Sequence, residues 1–213
     1  LNEIGVETSF IENIISVKPN NSNLLPQTLT VESDWSSASY FYSVIALSDI
    51  GTEITIASYK KESLQGDSVL AKIYQSFGVT THYGSNSIRL VKTEESQTSN
   101  LEFHLSDAPD IAQTIAVTAF GLGVECYLTG LHTLKIKETD RLVALKTELE
   151  KLGAQIDITL DSLRVKASNK INTNISIATY NDHRMAMAFA PMGLRSALTI
   201  ENADVVSKSY PQF

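Results

Sequence analysis

The 213-residue sequence predicts an α/β fold assembled from repeated units of about 75 residues, because two kinds of residue recur along it with that period. The first kind is a glycine that ends a helical stretch and is followed by two short strands. These glycines are Gly5, Gly78 and Gly153. Each is expected just past a helix C-terminus, where glycine adopts a positive φ at little cost.

The second recurring residue is an aspartate, which opens an apolar stretch in each unit at Asp34, Asp110 and Asp182. Aspartate is favoured as a helix N-cap or in a first helical turn. The stretches are rich in Ala, Ser, Met and Phe and carry few charges, so they predict helices that are buried on most sides. They run to Leu47, Leu122 and Leu194.

One unit therefore reads strand, buried helix, strand, amphipathic helix, strand, strand, with amphipathic helices expected at 65–77 and 138–152. The chain begins and ends inside such a unit, which predicts a piece of a longer protein. We expect residues 1–20 to complete a preceding unit and form a hinge, with a linker at 19–26. Residues 21–213 are then expected to form one domain of three units, the last of them truncated.

With 43% hydrophobic and 19% charged residues, the chain has the composition of a globular protein. Its net charge of −7 argues against general nucleic-acid binding. No apolar run approaches the roughly 20 residues of a membrane helix. The single cysteine, Cys126, is expected in a buried strand and fits a reducing compartment, and the four histidines show no metal-ligand spacing. We expect a cytoplasmic protein without a metal or cofactor.

The densest group of charges lies at residues 137–142, where a loop is expected to enter the second amphipathic helix. Lys137 and Arg141 are four residues apart, so on a helix they share a face, and a helix N-terminus directs free N–H groups at an anion. Glu138 beside them is a candidate general acid or base. The alternative is a solvated helix start with an ordinary charge pattern, capped by Thr139.

A second charged group lies at residues 180–187, at the start of a helix that is expected to be buried. Arg184 is suited to gripping a carboxylate with two parallel hydrogen bonds, and His183 stands beside it. The alternative is a pair of Asp182 with Arg184 that only caps the helix. Met185 and Met187 are expected to fill the core.

Two weaker candidates complete the set of motifs. Lys208 precedes a turn that contains Pro211, and it is a candidate phosphate ligand or, alternatively, a solvated lysine. The hydroxyl-rich stretch 33–40 is a candidate anion site at a helix start, although capping and tight packing explain it equally well.

Six stretches, in chain order, resemble the 5-enolpyruvylshikimate-3-phosphate synthase family: 31–41, 65–67, 107–110, 137–142, 181–187 and 207–211. The resemblance implies an enolpyruvyl transferase-like inside-out α/β barrel domain, built from repeated βαβαββ units around buried parallel helices. The family has two such domains in a full-length protein that looks monomeric, and this chain is similar to the C-terminal one. Ser33 stands where a glycine is common in the family.

The resemblance also implies an activity, that of a 3-phosphoshikimate 1-carboxyvinyltransferase of the shikimate pathway. Such an enzyme transfers the enolpyruvyl group of phosphoenolpyruvate to the 5-hydroxyl of shikimate-3-phosphate and releases phosphate. By resemblance, Asp110 binds the shikimate hydroxyl and removes its proton, while Glu138 gives a proton to C3 and later takes one back. The residues implied to bind phosphoenolpyruvate are Arg141, Arg184 and Lys208. Those implied to bind shikimate-3-phosphate are Asp110, Lys137 and Thr133, the last of which replaces an Asn found in many members.

In the family the other domain carries most of the shikimate-3-phosphate site, so this chain by itself is expected to be folded but inactive. Two other functions compete. The sibling enolpyruvyl transferase that acts on UDP-N-acetylglucosamine uses a loop cysteine, whereas Cys126 is expected in a strand. A non-catalytic module that kept the repeat is the third possibility, and the joint presence of the charged residues argues against it.

Overall fold

A computed structural model of the chain describes residues 1–19, 26, 28–96, 99–211 and 213, and it divides into two compact units, Leu1–Val31 and Glu32–Phe213. In the first unit, β1 (Thr8–Ile11) and β2 (Ile14–Val17) form an antiparallel hairpin. A 3₁₀ segment precedes the hairpin and ends at Gly5, whose φ is 79°. Most of the predicted linker, with the predicted domain boundary at residue 20, lies outside the described residues.

The second unit contains the remaining helices and strands of the described chain. The first repeat has α1 (Trp35–Leu47), β3 (Glu53–Ala57), α2 (Leu70–Gln75), β4 (Val79–Tyr83) and β5 (Ser87–Lys92). The middle repeat has β6 (Asn100–His104), α3 (Ala112–Leu122), β7 (Glu125–Thr129), α4 (Arg141–Lys151), β8 (Ile156–Ile158) and β9 (Leu163–Val165). The third has β10 (Ile175–Ile177), α5 (His183–Phe189) and β11 (Leu198–Ile200).

The middle repeat therefore shows all six predicted elements in the predicted order. The strand predicted before Asp34 is absent from the described residues 28–33. Leu29 and Val31 are 52% and 85% exposed, so the apolar side chains of this stretch are not buried as those of a core strand would be. Ser33 instead donates its N–H to the Ser58 carbonyl oxygen, just past the end of β3.

Among the described residues, the second unit has three sheets, and the two larger ones pack against its helices. The order β3-β5-β4 is antiparallel throughout, whereas β6-β7-β9-β8 begins with the parallel pair β6 and β7. The strands β10 and β11 are also parallel. Because a parallel pair needs a crossover connection, α3 bridges β6 and β7, and α5 bridges β10 and β11.

The helices α1, α3 and α5 contact one another and form the centre of the second unit. Every residue of α3 from Ala112 to Gly121 is buried, as the apolar composition predicted. Buried hydroxyl groups join α1 to α3, with Ser39 Oγ 3.0 Å from Thr114 Oγ1 and Ser43 Oγ 2.7 Å from Thr118 Oγ1. Both pairs are 75 residues apart, so equivalent positions of successive repeats meet in the core.

Two of the three repeated aspartates cap their helices as predicted. The side chain of Asp34 accepts from the N–H of Ser36, and that of Asp182 accepts from the N–H of Arg184. Asp110 caps no helix, because it lies within the 3₁₀ segment Pro109–Ile111 that leads into α3. Its carboxylate is used elsewhere, as described below.

The amphipathic helices are shorter than predicted. Residues 66–69 form a 3₁₀ turn before α2. Helix α4 begins at Arg141 because Asp140, not Thr139, is its N-cap and accepts from the N–H of Val143. Helix α5 gives way to a 3₁₀ segment around Pro191, which has no N–H to continue the helical ladder.

Glycines stand where the repeat predicted them. Gly78 and Gly153 both have positive φ, 77° and 99°. A Cβ atom on Gly78 would lie 1.9 Å from the carbonyl oxygen of Glu94, so this position requires glycine for space as well as for conformation. Among the described residues, no helix has the length and apolar character that crossing a membrane demands.

Candidate active site

Arg141 lies at the centre of a buried group of charged side chains. It is only 1% exposed, which is unusual for an arginine. Its Nε donates to Oδ2 of Asp182 at 2.7 Å, its Nη1 to Oδ1 of Asp110 at 3.0 Å, and its Nη2 to Oε2 of Glu138 at 2.6 Å. The guanidinium group thus binds three carboxylates from three segments. A buried arginine that is paired with three carboxylates is incompatible with the alternative of a solvated helix start.

Asp110 is the second shared member of this group. Its Oδ2 lies 3.2 Å from Nη2 of Arg184, and its Oδ1 lies 3.4 Å from Nζ of Lys137. Burial alone would raise the pKa of Asp110, but the positive charges of Arg184, Lys137 and Arg141 outweigh it and hold the pKa below its usual value. Asp110 is therefore ionised at neutral pH.

We call these six side chains the ion cluster. Its members are Asp110, Lys137, Glu138, Arg141, Asp182 and Arg184. Three acids and three bases balance in charge, which makes their partial burial tolerable. The structure thus brings together Asp110, Lys137, Glu138, Arg141 and Arg184, five of the seven site residues expected from the sequence and its family resemblance.

The starts of α3, α4 and α5 position the ion cluster. Asp110 lies just before α3, Arg141 is the first residue of α4, and Arg184 is in the first turn of α5. Ion pairs join residues at these three starts, so the N-terminal ends of the helices converge. Convergent N-termini add their N–H dipoles to the cations and favour an anion nearby.

The predicted helical spacing of Lys137 and Arg141 is wrong, because neither Lys137 nor Glu138 is helical. Lys137 has extended backbone angles and follows the 3₁₀ segment His132–Ile136. It reaches Arg141 through Asp110, which accepts from both cations. The grouping was predicted, but the geometry that produces it was not.

The predicted alternative of a pair between Asp182 and Arg184 is also wrong for the side chains. The carboxylate of Asp182 accepts from the backbone N–H of Arg184 at 2.9 Å, while the Arg184 guanidinium turns to Asp110. His183 Nδ1 lies 3.9 Å from Oδ1 of Asp182. Burial and the charge of Arg184 lower the pKa of His183 despite Asp182, so this imidazole is neutral at pH 7.

Asp67 is a carboxyl group beside the ion cluster that the charge pattern of the sequence does not indicate. Burial raises its pKa to about 6, and the negative charge of Asp110 adds to the effect while Arg184 opposes it. Its neighbour Gly66 lies against the loop that carries Asp110, since a Cβ on Gly66 would be 2.1 Å from the carbonyl oxygen of Asp107. Its only signal in the sequence is its place in the 65–67 stretch.

Tyr40 adds a phenol to the surroundings of Arg184. Burial raises the pKa of Tyr40 to about 12, although Arg184 partly offsets the effect. The phenol therefore stays protonated at neutral pH. Burial also opposes the charge on Arg184, but Tyr40 and Asp110 raise the pKa of this guanidinium above its ordinary value.

Lys208 and Thr133, the other two predicted ligands, are placed differently. The Nζ of Lys208 donates to both the carbonyl oxygen and the Oδ1 of Asn181, at 2.9 Å each. Lys208 therefore binds the residue that precedes Asp182 in the chain. Thr133 lies in the 3₁₀ segment before Lys137, and its buried Oγ1 has no hydrogen-bond partner within the described residues.

The weaker candidates serve the core. Ser36 Oγ donates to the capping aspartate Asp34, and Ser39 packs against α3, so the hydroxyl-rich stretch caps and packs. Met185 and Met187 are buried, and Cys126 is buried in β7 as predicted. Among the described residues, no group of three or more His, Cys, Asp and Glu is arranged to hold a metal ion.

Comparison with known structures supports the architecture. The structure of EPSP synthase from Acinetobacter baumannii superposes with a TM-score of 0.79 at 22% identity, covering 99% of this chain and 51% of that one. A second structure of EPSP synthase from Acinetobacter baumannii gives 0.77 over 99% of this chain and 50% of the other, also at 22% identity. At this identity, the likeness shows the fold.

Comparison with curated sequences identifies relatives along the whole chain. A 3-phosphoshikimate 1-carboxyvinyltransferase of Bacteroides fragilis is 41% identical over 217 residues, covering 100% of this chain and 52% of the relative. One from Xenorhabdus nematophila is 34% identical over 201 residues, covering 94% and 46%. The chain thus spans about half the length of the curated relatives it matches. The family model of EPSP synthase (3-phosphoshikimate 1-carboxyvinyltransferase) matches residues 1–213, so the chain belongs to the EPSP synthase family.

Proposed function

We propose that this chain supplies one half of the active site of a 3-phosphoshikimate 1-carboxyvinyltransferase. The full-length form, in which the chain is joined to the further half present in its relatives, would transfer the enolpyruvyl group of phosphoenolpyruvate to the 5-hydroxyl of shikimate-3-phosphate. The observation that carries the proposal is the convergence of Arg141 and Arg184 on Asp110 within the ion cluster. Two arginines around one carboxylate, with a second acid at hand, suit the chemistry of two anionic substrates.

The reaction proceeds by addition and elimination. The 5-hydroxyl oxygen attacks C2 of phosphoenolpyruvate and gives up its proton to a base, while C3 gains a proton, which gives a tetrahedral intermediate. Loss of a proton from C3 then expels phosphate and restores the double bond. The site must therefore supply a group that gives and takes a proton at C3, a partner for the hydroxyl, and fixed positive charge.

Glu138 is the proposed proton carrier at C3. Its Oε2 accepts from Arg141, which orients the carboxyl group, and nearly half of its side chain is exposed toward solvent. Asp110 is the proposed partner of the 5-hydroxyl. Because Asp110 is held ionised by three cations, it can accept a hydrogen bond from that hydroxyl, orient its oxygen for attack and take its proton.

Arg184 and Arg141 are the proposed binders of the phosphoenolpyruvate carboxylate, with Lys208 as a further contact. Arg184 keeps its charge despite burial, and it has donors beyond the single bond to Asp110. Lys137 and Thr133 are the proposed contacts to shikimate-3-phosphate. The unpartnered hydroxyl of Thr133 supports that role, since a buried hydroxyl without a partner is costly.

The further half has to provide the remaining contacts, so we propose that the 213-residue chain alone is inactive. Positioning both reactants is worth several orders of magnitude in rate, and half a site cannot hold two substrates in line. The specific substrates, a monomeric full-length form and a cytoplasmic location stay predictions.

The decisive experiment measures phosphate release from phosphoenolpyruvate and shikimate-3-phosphate by the full-length form and by the chain alone. We expect turnover only in the full-length form. In it, Glu138→Ala should reduce kcat by at least about 100-fold, while the matched control Glu150→Ala should leave it unchanged. The two side chains are equally exposed, 44% and 47%, and each binds one cation on or beside α4. Normal turnover by Glu138→Ala would contradict the proposed role.

The two competing functions predict different outcomes. A transferase specific for UDP-N-acetylglucosamine would be stabilised against heat by that nucleotide sugar and not by shikimate-3-phosphate. The buried Cys126 disfavours it, since a catalytic cysteine must reach its substrate. A non-catalytic module would show no turnover in the full-length form with either acceptor.

A further inference from the structure

Glu148, in the third turn of α4, is a fully buried carboxylate outside the ion cluster. Its Oε1 accepts from the hydroxyl of Tyr180 at 2.7 Å. Its Oε2 accepts from the backbone N–H of Ala178 at 3.1 Å and from Nζ of Lys151 at 2.7 Å. Both carboxylate oxygens of Glu148 thus accept hydrogen bonds, and two of the three donors lie in the segment that leads into α5.

That segment has an unfavourable backbone. Tyr180 and Asn181 have positive φ, 53° and 58°, and they are consecutive. Asn tolerates the left-handed region, whereas a bulky Tyr rarely adopts it. The turn closes with the N–H of Asp182 donating to the carbonyl oxygen of Thr179 at 2.9 Å. A backbone in this conformation persists only when its surroundings hold it there.

Helix α4 holds the segment at two points. Arg141, at its start, binds Asp182, and Glu148, seven residues later, binds Ala178 and Tyr180. Seven residues are about two helical turns, so both side chains leave α4 on the same side. Lys208 binds Asn181 between those two points.

The residues downstream of the turn take their direction from it. Asp182 caps α5, and Arg184 follows in the first turn of that helix and reaches Asp110. A change in the angles of Tyr180 and Asn181 would rotate the start of α5 and move the Arg184 guanidinium. It would also displace the oxygens that bind Lys208.

We propose that Glu148 and Tyr180 are positioning residues that hold the left-handed turn at 180–181 and thereby set the affinity of the site for phosphoenolpyruvate. The identity of that ligand rests on the proposed function, since Arg184 and Lys208 are its proposed binders. Glu148 and Tyr180 contact no substrate themselves and act only through Asp182, Arg184 and Lys208.

The first test uses the 213-residue chain and needs no activity. Tyr180→Phe removes one hydroxyl and no bulk, and Tyr83→Phe is its control because both tyrosines are 38% exposed. In a ¹H–¹⁵N NMR spectrum, the side-chain Nε–H signal of Arg184 should move in Tyr180→Phe and stay in place in Tyr83→Phe. An unmoved Arg184 signal in both variants would overturn the proposal.

The second test measures steady-state kinetics of the full-length form. Tyr180→Phe should raise the KM for phosphoenolpyruvate about fivefold, with kcat and the KM for shikimate-3-phosphate changed less than twofold. Glu148→Gln, which keeps one acceptor oxygen, should change the same KM in the same direction. A general loss of packing would instead alter both KM values together, or neither, and either result would overturn the proposal. If the unsubstituted full-length form shows no turnover, the proposed function fails while the NMR experiment still decides the positioning role.

Discussion

Nε of Arg141 lies 2.7 Å from Oδ2 of Asp182, and both side chains are excluded from solvent. The two residues are 41 positions apart, and their contact joins the start of α4 to the start of α5. For a buried charge pair, mutual attraction and hydrogen bonds offset the large free-energy cost of removing both charges from water. Removing one partner leaves the other buried with less compensation, which makes the pair a sensitive point for stability.

Asp182→Asn should therefore destabilise the chain by on the order of 3 kcal/mol, measured by urea denaturation. Asparagine keeps the shape and the capping oxygen, so the loss reports on charge. The control is Asp140→Asn, which changes the N-cap of α4 in the same way outside the buried pair and should cost less than about 0.5 kcal/mol. Equal losses in the two variants would show that Asp182 acts only as a cap.

Arg184→Lys should weaken the site for phosphoenolpyruvate while keeping its charge. A lysine ammonium is a point charge and cannot grip a carboxylate with two parallel bonds, so KM for phosphoenolpyruvate in the full-length form should rise about tenfold or more. The control is Arg89→Lys, where the arginine forms an exposed pair with Glu53 at 2.7 Å. An unchanged KM in Arg184→Lys would remove Arg184 from the proposed clamp.

Asp67 should make the stability of the chain depend on pH. Its pKa is about 6 in the folded chain, above the ordinary value of 3.8 that applies when the chain unfolds. Between those values the folded state holds the proton more tightly, so stability falls as pH rises from about 4 to 6. Above that interval the ionised, partly buried carboxylate costs on the order of 2 to 3 kcal/mol.

The side-chain amide in Asp67→Asn cannot ionise, so this variant should not lose stability as the pH rises. The variant should match the parent chain at pH 4 and exceed its stability by on the order of 2 kcal/mol at pH 7.5, in urea denaturation at the two pH values. Asp49→Asn, at an exposed aspartate, should show no such pH-dependent gain. A gain that is equal at both pH values would mean that the amide stabilises by packing and not by its lack of charge.

The repeat made most of the fold predictable. Positive φ at Gly78 and Gly153 and the buried helices after the three aspartates follow from local rules, since glycine tolerates left-handed backbone and an apolar helix must be covered. The first residue of α4 was not predictable in this way. Thr139 and Asp140 are both acceptable N-caps. Which of them caps α4 depends on the direction in which the preceding 3₁₀ segment leads the backbone into the helix.

Most members of the ion cluster were predicted from the sequence, but the pairing of its acids with its bases was not. The charge pattern pointed to Glu138, Arg141 and Arg184, the family resemblance added Asp110, and these four side chains do meet. Which acid binds which base depends on tertiary distances that no local pattern encodes. The same limit concealed Asp67, whose raised pKa arises from burial and from the charge of a residue 43 positions away in the chain.

Cys126 offers a last test, which also separates this site from one that uses a cysteine. The thiol is buried in β7, and burial raises its pKa to about 12. At pH 8 almost no thiolate is present, and no reagent can approach it in the folded chain. Iodoacetamide should therefore leave the folded chain unmodified over hours and alkylate it completely in guanidinium chloride, as measured by mass spectrometry.

In the full-length form, Cys126→Ala should retain kcat within about twofold, because the thiol takes no part in the proposed chemistry. Rapid alkylation of the folded chain, together with loss of turnover in Cys126→Ala, would instead assign catalysis to this thiol.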